Sequence, residues 1–209
     1  MTLRTEFADR LAPAHTALLA IDLQNDFVAE GGYIERVVGR SASACRAILP
    51  ATTQLIEAAR SSNVPVIWVV ADYSHDKIPL PALARFAQRG WHGVCCAPGS
   101  PGADFAGPRP LAGETVITKH SFSSFHGTTL EDELRRRGIE TLAVAGVQTN
   151  ACVDYAIREG FVRGFYIAVA EDCVASHMPD LHAATLKATG FLFGDVVPSS
   201  RLIERWTSP

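Results

Sequence analysis

The sequence predicts an α/β fold in which helices cover both faces of a mainly parallel β-sheet. Short apolar runs of strand length alternate along the chain with longer segments of helical periodicity. The apolar runs are almost continuous, as is typical of strands buried on both faces. The 209 residues contain no internal repeat and no clear linker, and this length fits one domain better than two. We therefore predict one three-layer α/β/α, Rossmann-like domain over residues 1–209, with about six strands.

The first part of the chain predicts three strands and one long helix. HTALLAIDL, VPVIWVVAD and ETVITK are compact apolar runs. SASACRAILPATTQLIEAARSS has the longer pattern of a helix, in which Pro50 is expected to cause a local disturbance. In chain order, these elements are the strand 15–23, the helix 41–62, the strand 64–72 and the strand 114–119.

The second part alternates regularly between helices and strands. TLEDELRRRG begins with acidic residues, continues with basic residues and ends at Gly138, which matches the helix macrodipole and a helix stop signal. TLAVAGV and FYIAVAED are apolar runs of strand length. In chain order, the elements are the helix 129–138, the strand 141–147, the helix 152–164, the strand 165–172, the helix 179–190, a short strand 195–198 and a terminal helix 199–206.

The segment 73–113 lacks a regular pattern and is rich in Pro, Gly, Cys and aromatic residues. It is too long for an ordinary connection between two elements, and such loops are commonly functional covers or interface segments. We expect a long loop insertion with one of these roles.

Composition argues against several classes of function. The formal net charge is -3 with no long run of one sign, so nucleic-acid binding is not predicted. No apolar stretch approaches the roughly 20 residues that span a bilayer, and the N-terminal segment lacks the apolar centre of a signal peptide. The five cysteines form no CxxC pair and no zinc-ligand spacing, and their odd number favours a reducing compartment. We expect a cytoplasmic protein that acts on a small molecule, without a nucleic-acid or membrane partner.

Reactive side chains follow three of the predicted strands. Asp22 and Lys119 end the first and third strands, and Cys152 lies just beyond the fourth. Ligands of open α/β sheets bind beyond the carboxyl ends of the strands. A helix start and a nearby lysine both favour a thiolate, and an aspartate can take the thiol proton and pass it to a leaving nitrogen. Together the three residues predict a site for nucleophilic acyl transfer.

Each of these residues also has an ordinary structural interpretation. Cys152 could pack as a small hydrophobe, Lys119 could be a surface lysine, and Asp22 could cap the following segment. Asp26 is a second acid, but its spacing moves it off the strand, and we interpret it as structural. No GxGxxG or phosphate-binding loop follows the first strand, so nucleotide binding is not predicted.

A resemblance to a known enzyme family covers most of the chain. It is carried by AIDLQNDFV (20–28), ITKHSFSSFHGTTLEDELRRRGIETLAVAGVQTNACV (117–153) and EDCVAS (171–176). In these stretches the sequence resembles the isochorismatase-like cysteine hydrolases, which include nicotinamidases and the N-carbamoylsarcosine, ureidoacrylate and biuret amidohydrolases. The resemblance implies a homo-oligomeric amidohydrolase without a cofactor. Its expected reaction is cleavage of a C–N bond in a small linear amide, ureide or N-carbamoyl compound through a cysteine thioester.

The resemblance also implies a role for each site residue. Cys152 would be the nucleophile, Asp22 the general base and acid, and Lys119 the electrostatic partner. The backbone N–H groups of Gln148 and Cys152 would form an oxyanion hole beside a cis peptide bond between Val147 and Gln148. The expected pocket walls, each of which would also serve as a core or loop residue, are Phe27, Trp91, Phe125 and Gln148.

Three features of this sequence distinguish between members of the family that catalyse different reactions. Isochorismatases cleave a vinyl ether and lack the cysteine, so Cys152 argues against that chemistry. Nicotinamidases carry an Asp-x-His metal motif after the second strand, whereas here Ser74 stands where the histidine is expected and His75 is displaced by one residue. We therefore predict no metal and consider nicotinamide a poor substrate. The stretch AEGGYIE (29–35) resembles the segment after the first strand in ureidoacrylate and biuret amidohydrolases, and it favours a small, polar, linear ureide or carbamoyl compound as substrate.

Three alternatives remain open at this point. The chain could be a nicotinamidase-type amidase, or a non-catalytic binding or scaffold module on the same fold. It could also be a thiol redox protein if Cys173 approaches Cys152 in space. Otherwise Cys45 and Cys173 are expected to be packing residues, and the adjacent Cys95 and Cys96 are not expected to form a disulfide.

Overall fold

The computed structural model describes residues 3–208, and its centre is a six-stranded β-sheet. The strands are β1 Thr16–Ile21, β2 Val66–Ala71, β3 Thr115–Lys119, β4 Thr141–Val147, β5 Tyr166–Ala175 and β6 Asp195–Val197. They lie in the order β3-β2-β1-β4-β5-β6, and every neighbouring pair is parallel. This sheet confirms the predicted parallel α/β architecture.

Helices connect the strands and cover the sheet. They are α1 Phe7–Arg10, α2 Asn25–Val28, α3 Ser43–Ala47, α4 Leu49–Ser61, α5 Leu80–Gln88, α6 Leu130–Arg136, α7 Asp154–Val162, α8 Pro179–Leu192 and α9 Ser199–Thr207. Single turns of 3₁₀ geometry at Pro13–His15 and of π geometry at Ile34–Val38 and Thr149–Val153 supplement them. Across residues 3–208, no helix combines the length and apolar character needed to cross a membrane.

Two hydrophobic cores lie on opposite faces of the sheet. Ala17, Leu19 and Ile21 of β1 pack in one core with residues of α6 and α7. Leu18 and Ala20 of the same strand pack in the other core with residues of α4 and α9. Successive side chains of a strand point to opposite faces, so a continuously apolar strand is needed to fill both cores. The apolar strand sequences therefore account for the three layers.

The predicted helix 41–62 is interrupted at Ile48, two residues before Pro50, which confirms the expected local disturbance. The chain forms α3 and α4, which meet at Ile48. Pro50 is the second residue of α4, where its missing N–H costs no intrahelical hydrogen bond. The disturbance therefore takes the form of a new helix start.

The segment 73–113 contains α5, which the sequence analysis missed. Prolines at positions 79 and 81 made this stretch resemble a loop, yet Pro79 caps the helix and Pro81 lies in its first turn. The segment also returns to the loop after β1, where Asn25 donates its backbone N–H to the Asp104 carbonyl at 2.8 Å. It therefore packs against the carboxyl end of the sheet.

Gly146 lets β1 and β4 approach closely at that same end. Its φ is +127°, and a Cβ atom at this position would lie only 2.0 Å from the Ile21 carbonyl oxygen. Only glycine fits such an approach without displacing the neighbouring strand. The close approach brings the chain after β4 beside the residue that follows β1.

Candidate active site

Lys119 and Asp22 meet although their strands are not neighbours. Lys119 is the last residue of β3, Asp22 follows β1, and β2 lies between these strands. Adjacent strands are about 4.8 Å apart, so only a long side chain can cross the end of β2. The Lys119 side chain does so, and its Nζ lies 3.0 Å from Asp22 Oδ2.

Cys152 completes this cluster. Its Sγ lies 3.2 Å from Lys119 Nζ, and the exposed fractions of Asp22, Lys119 and Cys152 are 1%, 0% and 4%. The structure therefore brings together the three reactive residues that the sequence analysis selected. A buried ammonium between a carboxylate and a thiol is an arrangement that strongly couples their proton affinities.

Asp22 is held by its backbone as well as by its ion pair. Its φ of +53° lies in the left-handed region, which residues other than glycine seldom adopt. Its N–H donates to the Val69 carbonyl of β2 at 2.8 Å. The backbone conformation and this hydrogen bond therefore set the direction in which the Asp22 side chain leaves the chain, towards the cluster.

Tyr73 is a fourth member of the cluster that sequence reasoning missed. Lys119 Nζ donates to Tyr73 Oη at 2.8 Å, and Tyr73 Oη lies 3.5 Å from Cys152 Sγ. The Ser121 carbonyl accepts hydrogen bonds from Lys119 Nζ at 3.1 Å and from Tyr73 Oη at 3.3 Å. Tyr73 lies just beyond β2, so the strand-end argument applied to β2 would have found it.

The pKa values of the three clustered residues are all raised, and burial acts on each of them. Burial, reinforced by the Asp22 carboxylate, raises the pKa of the Cys152 thiol to about 12 against the opposing effect of Lys119. Burial raises the pKa of Asp22, and Lys119 opposes this shift without cancelling it. Burial alone would lower the pKa of Lys119, but Asp22 and Cys152 raise it. These directions favour a neutral thiol beside a carboxylate of enhanced basicity, the arrangement in which Asp22 can take the proton of Cys152.

The backbone around Cys152 begins a helical segment earlier than predicted. The Val147–Gln148 peptide bond is cis, and a π turn follows at Thr149–Val153 before α7 starts. Cys152 consequently lies inside the first helical turn rather than at its first residue. The first N–H groups of a helical segment lack carbonyl partners four residues back, so this turn can offer donors to an anion.

The side chain of Gln148 is fixed by two residues that sequence reasoning did not select. Its Oε1 accepts the His177 backbone N–H at 2.9 Å and lies 3.0 Å from His177 Nδ1. Its Nε2 lies 3.6 Å from Cys45 Sγ. Cys45 and His177 therefore hold the residue whose backbone N–H is expected to face the oxyanion.

A cavity of about 450 Å³ opens above Cys152. Phe27, Trp91 and Gln148 line it, as expected of pocket walls. Phe125 does not line it, which corrects the fourth expected wall. Phe125 is buried in the core between the sheet and helices α6 and α7, where its ring centre lies 6.2 Å from that of Phe165.

The residues matching the nicotinamidase metal motif have other partners. Asp72 forms an ion pair with Lys77 at 2.6 Å and accepts the Ser74 hydroxyl at 2.6 Å. His75 is exposed, and its Nε2 lies 3.2 Å from the Gly93 carbonyl. The Lys77 ammonium thus supplies the positive charge beside Asp72.

Another set of potential metal ligands lies elsewhere in the structure. Ligand atoms of the buried residues Asp26, Cys95 and Cys96 fall within 4.8 Å of one another. Asp26 already accepts backbone N–H groups from Tyr33 at 3.1 Å and Cys96 at 2.7 Å. These bonds support the structural interpretation of Asp26, since they tie the segment 73–113 to the loop after β1.

The cysteine positions weaken the redox alternative. All five cysteines are free, and Cys95 Sγ lies 3.8 Å from Cys96 Sγ. Cys173 packs in the core on the face of the sheet opposite to the core that contains Cys152. Cys173 is therefore not placed to act as a resolving thiol for Cys152.

Comparison with known proteins identifies the class of this fold and site. A family model described as the isochorismatase domain matches residues 16–200, and the chain belongs to this family. The ureidoacrylate amidohydrolase RutB of Methylobacterium radiotolerans is 28% identical over 216 residues, covering 88% of this chain and 76% of that protein.

Solved structures show the same fold. A cysteine hydrolase from Pseudomonas syringae pv. phaseolicola superposes with a TM-score of 0.80 at 22% identity, covering 93% of both chains. N-carbamoylsarcosine amidase from Thermoplasma acidophilum superposes with a TM-score of 0.70 at 26% identity, covering 88% of this chain and 96% of that one. The chain is therefore an isochorismatase-family hydrolase, as the resemblance predicts.

Proposed function

We propose that this hydrolase is an amidohydrolase that cleaves a C–N bond of a small linear amide, ureide or N-carbamoyl compound. The observation that carries the proposal is the buried Asp22–Lys119–Cys152 cluster at the floor of an open cavity. The relatives named ureidoacrylate amidohydrolase and N-carbamoylsarcosine amidase support this substrate class.

In the first half of the proposed reaction, Asp22 takes the proton of the Cys152 thiol as the sulfur attacks the substrate carbonyl. The raised pKa of Asp22 makes it a better base for this purpose than an exposed carboxylate. The developing oxyanion accepts hydrogen bonds from the backbone N–H groups of Gln148 and Cys152. Protonated Asp22 then gives its proton to the leaving nitrogen, ammonia or an amine departs, and a thioester remains on Cys152.

In the second half, water replaces the nitrogen leaving group. Asp22 accepts one proton from the attacking water, and the tetrahedral intermediate collapses to an acid product with the sulfur as leaving group. The proton on Asp22 returns to the sulfur, which restores the starting thiol. One carboxylate thus serves as base and acid in both halves.

Lys119 and Tyr73 stabilise the sulfur while it is charged. Lys119 remains an ammonium because Asp22 and Cys152 raise its pKa. Burial and the neighbouring acids raise the pKa of Tyr73 well above its usual value, so the phenol keeps its proton. Lys119 donates to Tyr73 Oη, and the phenolic proton that the Ser121 carbonyl accepts at 3.3 Å turns to the sulfur, 3.5 Å away, as the sulfur becomes charged.

An ammonia-release assay tests the proposal. The panel contains N-carbamoyl amino acids, ureidoacrylate analogues, biuret and nicotinamide, with Cys152→Ala as the control enzyme. We expect release from at least one linear ureide or N-carbamoyl compound, none with Cys152→Ala, and no effect of EDTA. Turnover of nicotinamide alone would favour a nicotinamidase, and a folded protein inert towards the panel would favour a binding or scaffold module.

We further propose that the enzyme is a cytoplasmic homo-oligomer acting on a free small molecule. Light scattering coupled to size-exclusion chromatography measures the oligomeric state, and a monomer at working concentration would contradict this part of the proposal.

A further inference from the structure

Three arginines, Arg40, Arg85 and Arg89, line the cavity above Cys152, and we call them the arginine rim. Among the described residues 3–208, no aspartate or glutamate lines this cavity. This is unusual for a chain with 22 acidic and 19 basic residues, in which the average surface is slightly negative. The mouth of the cavity is therefore a local concentration of positive charge.

The arginine rim has no internal counter-ion. Several arginines elsewhere in the protein pair with carboxylates, as Arg60 does with Glu114 at 2.7 Å and Arg163 does with Glu131 at 3.0 Å. Within residues 3–208, none of the three rim arginines forms an ion pair with a carboxylate. Arg85 instead donates to Gln88 Oε1 at 3.4 Å, and the guanidinium of Arg89 lies 6.0 Å from the centre of the Trp91 ring. Arg40 lies near His177, whose pKa burial and the Arg40 charge both lower.

The rim assigns a role to the segment 73–113. Arg85 lies in α5 and Arg89 caps its end, four residues later, so both side chains lie on the same side of the helix. Phe86 and Trp91 of the same segment also line the cavity. The segment thus supplies an apolar wall and two guanidinium groups to the cavity above the Cys152 sulfur, which lies in the helical turn after β4.

We propose that the arginine rim binds a carboxylate of the substrate, so that the enzyme selects amides or N-carbamoyl compounds carrying an anionic group away from the scissile C–N bond. This inference rests on the proposed function. A guanidinium offers paired N–H donors that match the two oxygens of a carboxylate, and the apolar walls strengthen the attraction. Neutral ureides of the same size lack this contact.

The test compares N-carbamoylglycine with its neutral analogue N-carbamoylglycinamide. Steady-state kinetics are measured for the wild type, for Arg85→Ala/Arg89→Ala, and for Arg109→Ala, a matched control. Arg109 does not line the cavity, and no ion pair joins it to a carboxylate of the described chain. We expect the wild type to prefer the acid at least tenfold in kcat/KM. The double variant should raise KM for the acid about tenfold, with kcat and the neutral analogue little changed, and Arg109→Ala should resemble the wild type.

A binding experiment separates failure of the rim from failure of the proposed function. Calorimetry measures binding of both compounds to Cys152→Ala, with and without the two rim substitutions. If the wild type turns over both compounds without preferring the acid, or if the rim substitutions weaken binding of both compounds equally, the proposed role of the arginine rim is wrong. The proposed hydrolase activity would stand in either case. Rim-dependent binding of the acid without turnover by the wild type would uphold the rim and overturn the proposed reaction. If the acid shows neither rim-dependent binding nor turnover, both the role of the rim and the proposed reaction are wrong.

Discussion

Two aspartates follow neighbouring strands at the same edge of the sheet, and each pairs with a lysine. Asp72 follows β2 and pairs with Lys77 at 2.6 Å, while Asp22 follows β1 and pairs with Lys119 at 3.0 Å. The Lys77 side chain is 41% exposed, whereas that of Lys119 is fully buried. Sequence position and pair chemistry are thus alike, and solvent access distinguishes the pairs.

The difference in burial reverses the effect on the carboxyl pKa. Burial also acts on Asp72, but hydrogen bonds from Lys77 and Ser74 outweigh it and lower the pKa. At Asp22 burial outweighs the attraction of Lys119, and the pKa is raised. A lowered pKa means that the charged carboxylate is stabilised, whereas a raised pKa makes the carboxylate a stronger base. We conclude that burial, rather than the ion pair itself, suits Asp22 to act as a base.

The largest expected effect comes from removing that base. Asp22→Asn removes the proton acceptor and should lower kcat/KM at least about 10⁴-fold, as for a member of a catalytic unit. Asp72→Asn is the matched control and should keep activity within about twofold, since the Asp72 carboxylate pairs with the partly exposed Lys77 and not with the Lys119–Cys152 cluster. Steady-state ammonia release measures both, and equal losses in the two variants would contradict the distinction.

The lysines should differ in the same direction. Lys119→Met leaves Asp22 buried without a partner and should cost about 3–5 kcal/mol of unfolding free energy together with at least about 10²-fold in kcat. Lys77→Met breaks a partly exposed pair and should cost less than about 1 kcal/mol. Urea denaturation and kinetics compare the two variants. A Lys119→Met enzyme that is stable and active would show that the buried ammonium is dispensable.

Tyr73→Phe removes one donor to the developing thiolate and should reduce kcat about tenfold, near the contribution of a hydrogen bond to a charged group. The rate of Cys152 alkylation by iodoacetamide should fall with it, which a purely structural role would not cause. Tyr155→Phe is the control, because Tyr155 is exposed and makes no contact with the sulfur. Unchanged alkylation in Tyr73→Phe would remove Tyr73 from the reaction.

The pH dependence should report the two shifted groups. As pH falls through the raised pKa of Asp22, the base becomes protonated, so the acidic limb of kcat/KM should lie above the usual carboxyl pKa of 3.8. Because the pKa of Cys152 is about 12, its alkylation should still accelerate above pH 9. A plateau of the alkylation rate near neutral pH would instead indicate a resting thiolate.

The sequence was sufficient to select Asp22, Lys119 and Cys152, because apolar strands end visibly at reactive residues and parallel strands share one carboxyl edge. It could not give the shifted pKa values of Asp22 and Cys152, which depend on how deeply the fold buries each group. Phe125 was misassigned because the sequence does not say on which side of the sheet a loop residue will pack. Tyr73 was missed because the strand-end argument was applied only to charged and thiol side chains, although Tyr73 lies just beyond β2.

Helix α5 was missed for a different reason. Proline ends most helices in the interior but is favoured in the first turn, and composition alone does not separate these cases. The consequence is functional, since α5 carries part of the arginine rim. The buried floor of the site was therefore easier to predict than its exposed mouth.

The central claim is that Cys152 carries the acyl group during turnover. Its most direct test is mass spectrometry of enzyme quenched with acid while it turns over N-carbamoylglycine, followed by peptide mapping. We expect a mass increase of one acyl group on the peptide containing Cys152, absent from Cys152→Ala. Continued turnover by Cys152→Ala, without any adduct on the wild-type peptide, would contradict the account.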